Sequence, residues 1–183
     1  MTQAIELFRP IPPGLPEPVR PRRGSDETLQ RILETDWRNV LNVGNNDSIS
    51  VGVLWLHGFL DESHRIAQQL HTPEGSYWHA LMHRSEGDFG NSKYWFARVG
   101  VHPVFALLQG RVRPLLIHLP PASPLQELAR LQIWSPDAFV DLCQLLSRRP
   151  FTGRELLQAI AATEFELLMQ YVIEQQTFPG TSE

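Results

Sequence analysis

The sequence predicts an all-α fold: a compact, bundle-like array of six or seven helices behind an extended, proline-rich N-terminal arm. Three observations carry this. Apolar residues recur at three- and four-residue spacing through most of the chain from residue 25 to about 175. Helix start and stop residues such as Ser25, Gly87, Gly100 and Ser135-Pro136 bracket those stretches. Strand character is confined to one short run at 115–119, and one strand makes no sheet.

The elements follow in order. Six prolines lie between residues 10 and 21, with Arg20, Arg22 and Arg23 beside them. Proline supplies no donor to a helix or a ladder, so residues 1–24 read as an extended arm, either solvated or laid over the domain. Such an arm is either a plain tail or a docking strip for a protein partner. Ser25 caps a first helix that keeps its apolar spacing through Leu29, Ile32 and Leu33 to about residue 37. Gly44-Asn45-Asn46-Asp47 is a turn. A second helix spans 50–70, with Trp55, Leu56, Phe59, Leu60, Ile66, Ala67 and Leu70 on one side. A third begins near Thr72 or Ser76 and ends at Gly87; a fourth opens on Asn91 as N-cap and closes at Gly100. Pro103 starts a short helix to Gly110, followed by an extended connector over 111–121. Ser135-Pro136-Asp137 starts a helix to about residue 149, and the Thr152/Glu155 capping box opens a long final helix to about 175. The domain is therefore 25–178, with a tail at 179–183.

Composition narrows the function classes. The chain has 183 residues, 42% hydrophobic and 20% charged, which suits one folded domain. A net charge of −4 gives no reason to expect nucleic acid or an anionic membrane as partner. Cys143 is the single cysteine, so no disulfide or thiolate metal cage can form within the chain, and a reducing compartment fits best. The first thirteen residues lack the basic start and apolar run of a secretory signal, and no stretch approaches the roughly 18–20 apolar residues of a membrane span, the richest, 51–60, being short and broken by Gly58, so a cytoplasmic protein is expected. Histidine stands out: there are seven, five of them between His57 and His83.

Several constellations invite chemistry. Leu54-Trp55-Leu56-His57-Gly58-Phe59 looks like the strand and oxyanion His-Gly of an α/β-hydrolase, but no Gly-x-Ser-x-Gly elbow occurs and that reading fails. On a helix over 77–86, His79, His83 and Glu86 fall within about 60° of one another. Two neutral imidazoles one turn apart can ligate a divalent ion, and a carboxylate on the next turn can add a ligand or act as general base. The competing reading is a polar face tied to a neighbouring helix by hydrogen bonds. Glu164 lies near the centre of the apolar arc of the last helix. A carboxylate there needs a cation or strong donors, so it is either buried against an arginine such as Arg84 or Arg98, or a further group beside the histidines. Asp88, Asn91, Lys93, Arg98 and His102 interleave with Phe89, Tyr94, Trp95 and Phe96, a composition that suits a small-molecule pocket and equally an aromatic packing face.

The strings Ser63-His64-Arg65-Ile66-Ala67-Gln68 and 76–103 (SYWHALMHRSEGDFGNSKYWFARVGVHP) resemble a family of uncharacterised proteins. Its pattern is S-H-x-x-x-Q followed by W-H-x-x-M-H-R-x-E-x-D-x-x-N-x-K-Y-W-F-x-x-V-G-x-H-P. The likeness covers residues 63–103 and implies no activity. Its polar positions fall here on His64, Gln68, His79, His83, Arg84, Glu86, Asp88, Asn91, Lys93, Tyr94 and His102. The family often has arginine where this chain has Ser85, a position that faces away from the His/Glu side of the helix.

The expectation is a site for a small ligand or a divalent metal, zinc or iron, between the second, third and fourth helices. His79, His83 and Glu86 are the metal ligands in this reading. Glu86, Asp88 and Arg84 are the candidate catalytic groups; His64, Gln68, Asn91, Lys93, Tyr94 and His102 are the ligand-binding ones. Metal-assisted hydrolysis is the reaction class that best suits such residues. The alternative is a non-catalytic interaction or scaffold module whose polar cluster is structural. His57, His71 and His118 are background in either case, the last two as loop or surface residues.

Overall fold

The computed structural model describes residues 22–44, 47–148 and 153–176. Among them lie ten α-helices and one 3-10 turn, with no β-strand, so the chain is all-α as predicted. The helices are α1 (Asp26–Glu34), α2 (Trp37–Leu41), α3 (Asp47–Leu56), α4 (Leu60–Ala67), α5 (Pro73–Glu86), α6 (Phe89–Val99), α7 (Pro103–Val112), α8 (Gln126–Arg130), α9 (Pro136–Arg148) and α10 (Arg154–Gln176). The proline-rich stretch to residue 21, Thr152 of the capping box and the tail lie outside the described residues.

Ten helices replace the expected six or seven for local reasons. The first predicted helix stops at Glu34, short of residue 37, and the Asp36 carboxylate, accepting the Arg38 and Asn39 N–H groups, starts a further helix, α2, over residues expected to lie outside it. The second, expected unbroken over 50–70, is divided at His57-Gly58-Phe59. Gly58 takes φ +72°, its N–H bonds Trp55 O, and the Phe59 N–H reaches back to Leu54 O. That is a Schellman closure, which favours glycine at this position. The third addition is α8, a short helix without a strong start signal.

Other boundaries are corrected too. The helix from Pro103 passes through Gly110 to Val112 and continues as the 3-10 turn Arg113–Leu116, so 111–121 does not begin as an extended connector. The strand candidate at 115–119 is the end of that 3-10 turn and the turn after it; among the described residues no strand lies beside it to complete its hydrogen bonds. The helix expected from Asn91 begins at Phe89 with Asp88 as its cap.

Two helices form the centre. From Ile49 to Leu56 only Ser50 of α3 escapes full burial, as befits a helix apolar on every side. Ten of the fourteen residues of α5 are also buried. α4 and α6 pack on α5, α9 on α6, and α10 on α7 and α3. By length and composition alone α10 could cross a membrane, but more than half of that apolar window is buried inside the fold. The described end of the arm is tied down: the Gly24 N–H donates to His57 O at 2.8 Å, and Arg23 lies over the Phe59 ring.

The link that matters for the site is two residues long. Gly87, at φ +85°, closes α5 by a second Schellman pattern, Gly87 N–H to Arg84 O and Asp88 N–H to His83 O. Asp88 then caps α6, accepting the Asn91 backbone N–H at 3.2 Å and its side-chain amide at 2.7 Å. So short a link turns α6 back along α5 as an αα-hairpin, with the Ser92 hydroxyl donating to Ala80 O.

Candidate metal centre

Three imidazoles meet between α4 and α5. His64 comes from the first, His79 and His83 from the second, and one nitrogen of each lies within 4.8 Å of the others. Their ring centroids are 4.5 Å apart for His64–His79, 5.4 Å for His64–His83 and 5.1 Å for His79–His83. The i, i+4 spacing sets the pair on α5. His64 arrives because the Gly58 break redirects the chain, placing α4 against α5.

The surroundings differ for each ring. His79 is 3% exposed and stacks on Trp95 of α6, centroids 3.9 Å apart and planes 9° apart. Its Nδ1 is buried with no hydrogen-bond partner. Burial, reinforced by His64 and His83, pulls its pKa down to about 4, so the ring is neutral at neutral pH. His83 keeps Nδ1 3.2 Å from Glu86 Oε2. Burial lowers its pKa as well, against the opposing pull of Glu86. With Nδ1–H given to Glu86, His83 Nε2 retains its lone pair.

Glu86 therefore stands behind His83 and outside the three-histidine group, although the sequence reading makes it a ligand. A carboxylate that orients a ligating imidazole through its second nitrogen is a recurrent device of metal sites. Both Asp88 oxygens are occupied by Asn91, and these hydrogen bonds hold its carboxyl below the usual range; Asp88 and Asn91 build the hairpin turn.

The remaining sequence candidates go elsewhere. Arg84 is fully buried and donates to Glu164 Oε2 at 2.6 Å, while the Tyr77 hydroxyl donates to Glu164 Oε1 at 3.0 Å. The arginine partner expected for Glu164 is thus Arg84. Lys93 Nζ meets Asp141 Oδ1 at 2.6 Å and ties α6 to α9. Tyr94 is half-exposed beneath Arg98. Gln68 is exposed at the end of α4. His102 caps α7, its Nδ1 accepting the Val104 N–H at 3.2 Å. His71 and His118 are exposed, whereas His57 is buried at the α3–α4 turn. Trp95, one of the aromatic residues that the sequence offers for a pocket or a packing face, is the one that walls the histidine group, because the Gly87-Asp88 link sets it opposite His79.

Chemically, three neutral imidazoles suit zinc, iron, copper or nickel. Tetrahedral zinc with nitrogen at about 2.0–2.1 Å needs nitrogens about 3.3 Å apart, so nitrogens that now lie within 4.8 Å of one another would have to draw closer to share one ion. Three protein ligands leave a fourth position open, and His64 and His83 are only partly buried. No family model matches the chain, and neither a curated protein nor a solved structure does.

Proposed function

We propose that this protein binds a divalent metal ion, zinc or iron, through His64, His79 and His83, and uses it in the hydrolysis of a small molecule. The observation that carries this is the convergence of three histidine nitrogens within 4.8 Å from two helices, one of them 15 residues distant in sequence. The lone buried Nδ1 of His79 supports it, because a polar atom held out of water without a partner is costly unless something occupies it. A metal in such a site supplies a water of lowered pKa. His83, steadied by Glu86, would hold its ring plane fixed; Trp95 would exclude water from one face of His79. The segment 63–103 that resembles the uncharacterised family holds all three histidines, which favours reading that signature as a ligand set.

One observation favours a structural role: the close His79–Trp95 stack fastens α5 to α6 by itself. Metal analysis of protein purified without an affinity tag separates the readings. The metal reading expects near one equivalent of a transition metal and a chelator-induced fall in thermal stability. Less than about a tenth of an equivalent, with unchanged stability in chelator and on adding zinc or ferrous ion, overturns it. His83→Ala should abolish metal uptake while the helical content stays; under the structural reading it costs stability alone.

A further inference from the structure

A second site lies away from the histidines, on the seam between α6 and α9. There Lys93 of α6 pairs with Asp141 of α9, Nζ to Oδ1 at 2.6 Å. One turn further along α6 stands Ala97, and one turn earlier on α9 stands Asp137, each on the same helix face as its neighbour in the pair. Both residues line one pocket of about 600 Å³, bounded by the end of α6, one face of α7 and residues 132–137. The seam therefore has two successive rungs. The first sets a lysine against its aspartate; the second sets an alanine there, which offers Asp137 no counter-charge.

Asp137 is exposed, and no ion pair or hydrogen bond reaches its carboxylate from the described residues. It is also the only Asp, Glu, Lys or Arg among the described residues of the lining. His102 belongs to the lining as well, but burial lowers its pKa against the pull of Glu74, so it adds no positive charge at neutral pH. The α6 and α7 side is apolar: Ala97 and Ala106 are exposed there and Phe105 is half-buried. Val101 and Ile133 line the pocket too, fully and largely exposed, an unusual placement for large apolar side chains. An acid in the first turn suits the dipole of α9, which accounts for the residue type at 137 but not for the space beside it or the apolar wall.

We propose that this pocket binds an organic cation, a primary ammonium carried on an apolar, ring-bearing body. The ammonium meets the Asp137 carboxylate beside Ala97, as the Lys93 ammonium meets Asp141 one turn away, and the body packs against Phe105, Ala106 and Val101. A carboxylate attracts an ammonium, repels an anion of the same shape and gains little from an alcohol. The size is in the ordinary range for small-molecule sites. This inference is independent of the metal.

4-Phenylbutylamine is a suitable probe, with 4-phenylbutan-1-ol and 4-phenylbutanoate as neutral and anionic controls of the same body. Titration of the isotope-labelled full chain at low salt follows the backbone amide resonances of Gly100, Val101 and Ile133. The amine should shift them saturably, with a dissociation constant below about 1 mM. The alcohol should bind about threefold to fivefold more weakly, as suits one exposed ion pair, and the butanoate more weakly still. Asp137→Asn should abolish the preference for amine over alcohol while leaving the affinity for the alcohol unchanged. Ala97→Lys, which supplies the missing lysine, should abolish the preference as well, because its ammonium takes the carboxylate. No saturable shift with the amine, equal binding of amine and alcohol, or a preference that survives in either folded variant overturns the assignment.

Discussion

His83 and Arg84 are neighbours on α5 and have opposite fates. Arg84 turns into the core, where it and Glu164 are both 0% exposed and share a 2.6 Å bond, with Tyr77 on the other carboxylate oxygen. His83 turns toward α4, to a group of three imidazoles that each bring one nitrogen within 4.8 Å of the others and include a buried nitrogen with no partner. The first arrangement supplies its own counter-charge; the second leaves a buried nitrogen without a partner from the protein. Burial of polar groups is thus not a functional signal in itself, and the informative question is whether the protein supplies the partner.

The closed region should respond most to losing one member. Glu164→Ala or Arg84→Ala leaves a charge in the core and should cost about 3–5 kcal/mol in urea unfolding. Arg84→Met combined with Glu164→Met should recover much of that loss, since an apolar pair of similar volume needs no counter-charge. Neither should alter the metal content of protein that still folds. Cys143 belongs to the same interior, and burial pushes its thiol up to about 12, so it should resist thiol reagents until the protein unfolds.

The open region should respond to ligand more than to truncation. Zinc at 100 times its dissociation constant should stabilise the native state by about 2.7 kcal/mol, a gain that chelator reverses and that is absent from His64→Ala. A comparable effect appears in pH. His79 titrates near 4 in the native chain against about 6.5 unfolded, so between those values the unfolded state binds more protons. Stability of the metal-free protein is then full above about pH 7 and falls as pH drops toward 4, by on the order of 2–3 kcal/mol from this residue. His83 and His102, both lowered by burial, act with the same sign, and the hydrogen-bonded Asp88 adds to the fall only below its ordinary value of 3.8. His79→Asn should flatten the unfolding free energy over that window relative to the parent chain, and an unchanged slope would refute the neutral, buried imidazole.

Much of this contrast was legible in the sequence. The helical class followed from apolar spacing, the His79/His83 pair from its i, i+4 register, and the need of Glu164 for a cation from its place in an apolar arc. What was hidden depends on chain reversals. A 21-residue helix over 50–70 would carry His64 on a straight rod; the Schellman turn at Gly58 is what brings it to α5, and its signal was a single glycine after an apolar run. Glu86 shared a wheel face with the histidines, yet i, i+3 proximity lets it bond His83 directly, and a wheel does not distinguish a ligand from the group that steadies one. Asp88 looked like a site carboxylate because helix caps and catalytic acids draw on the same residue types.

The finest test of the comparison lies at Glu86. If the open region is a metal centre, this carboxylate acts only through His83, and Glu86→Gln keeps an acceptor for Nδ1–H while removing the charge. Metal affinity should fall about tenfold, within the roughly 10–100-fold typical of such supporting groups, and Glu86→Ala should fall further. Thermal stability of the metal-free form should hardly move, because Glu86 is one-third exposed and its contact with His83 is a surface one. Competition titration against a chromophoric chelator reads the affinity, and calorimetry of the metal-free protein reads the stability. A variant that loses stability but keeps its affinity would place Glu86 with Arg84 and Glu164, as part of the scaffold and not of the site.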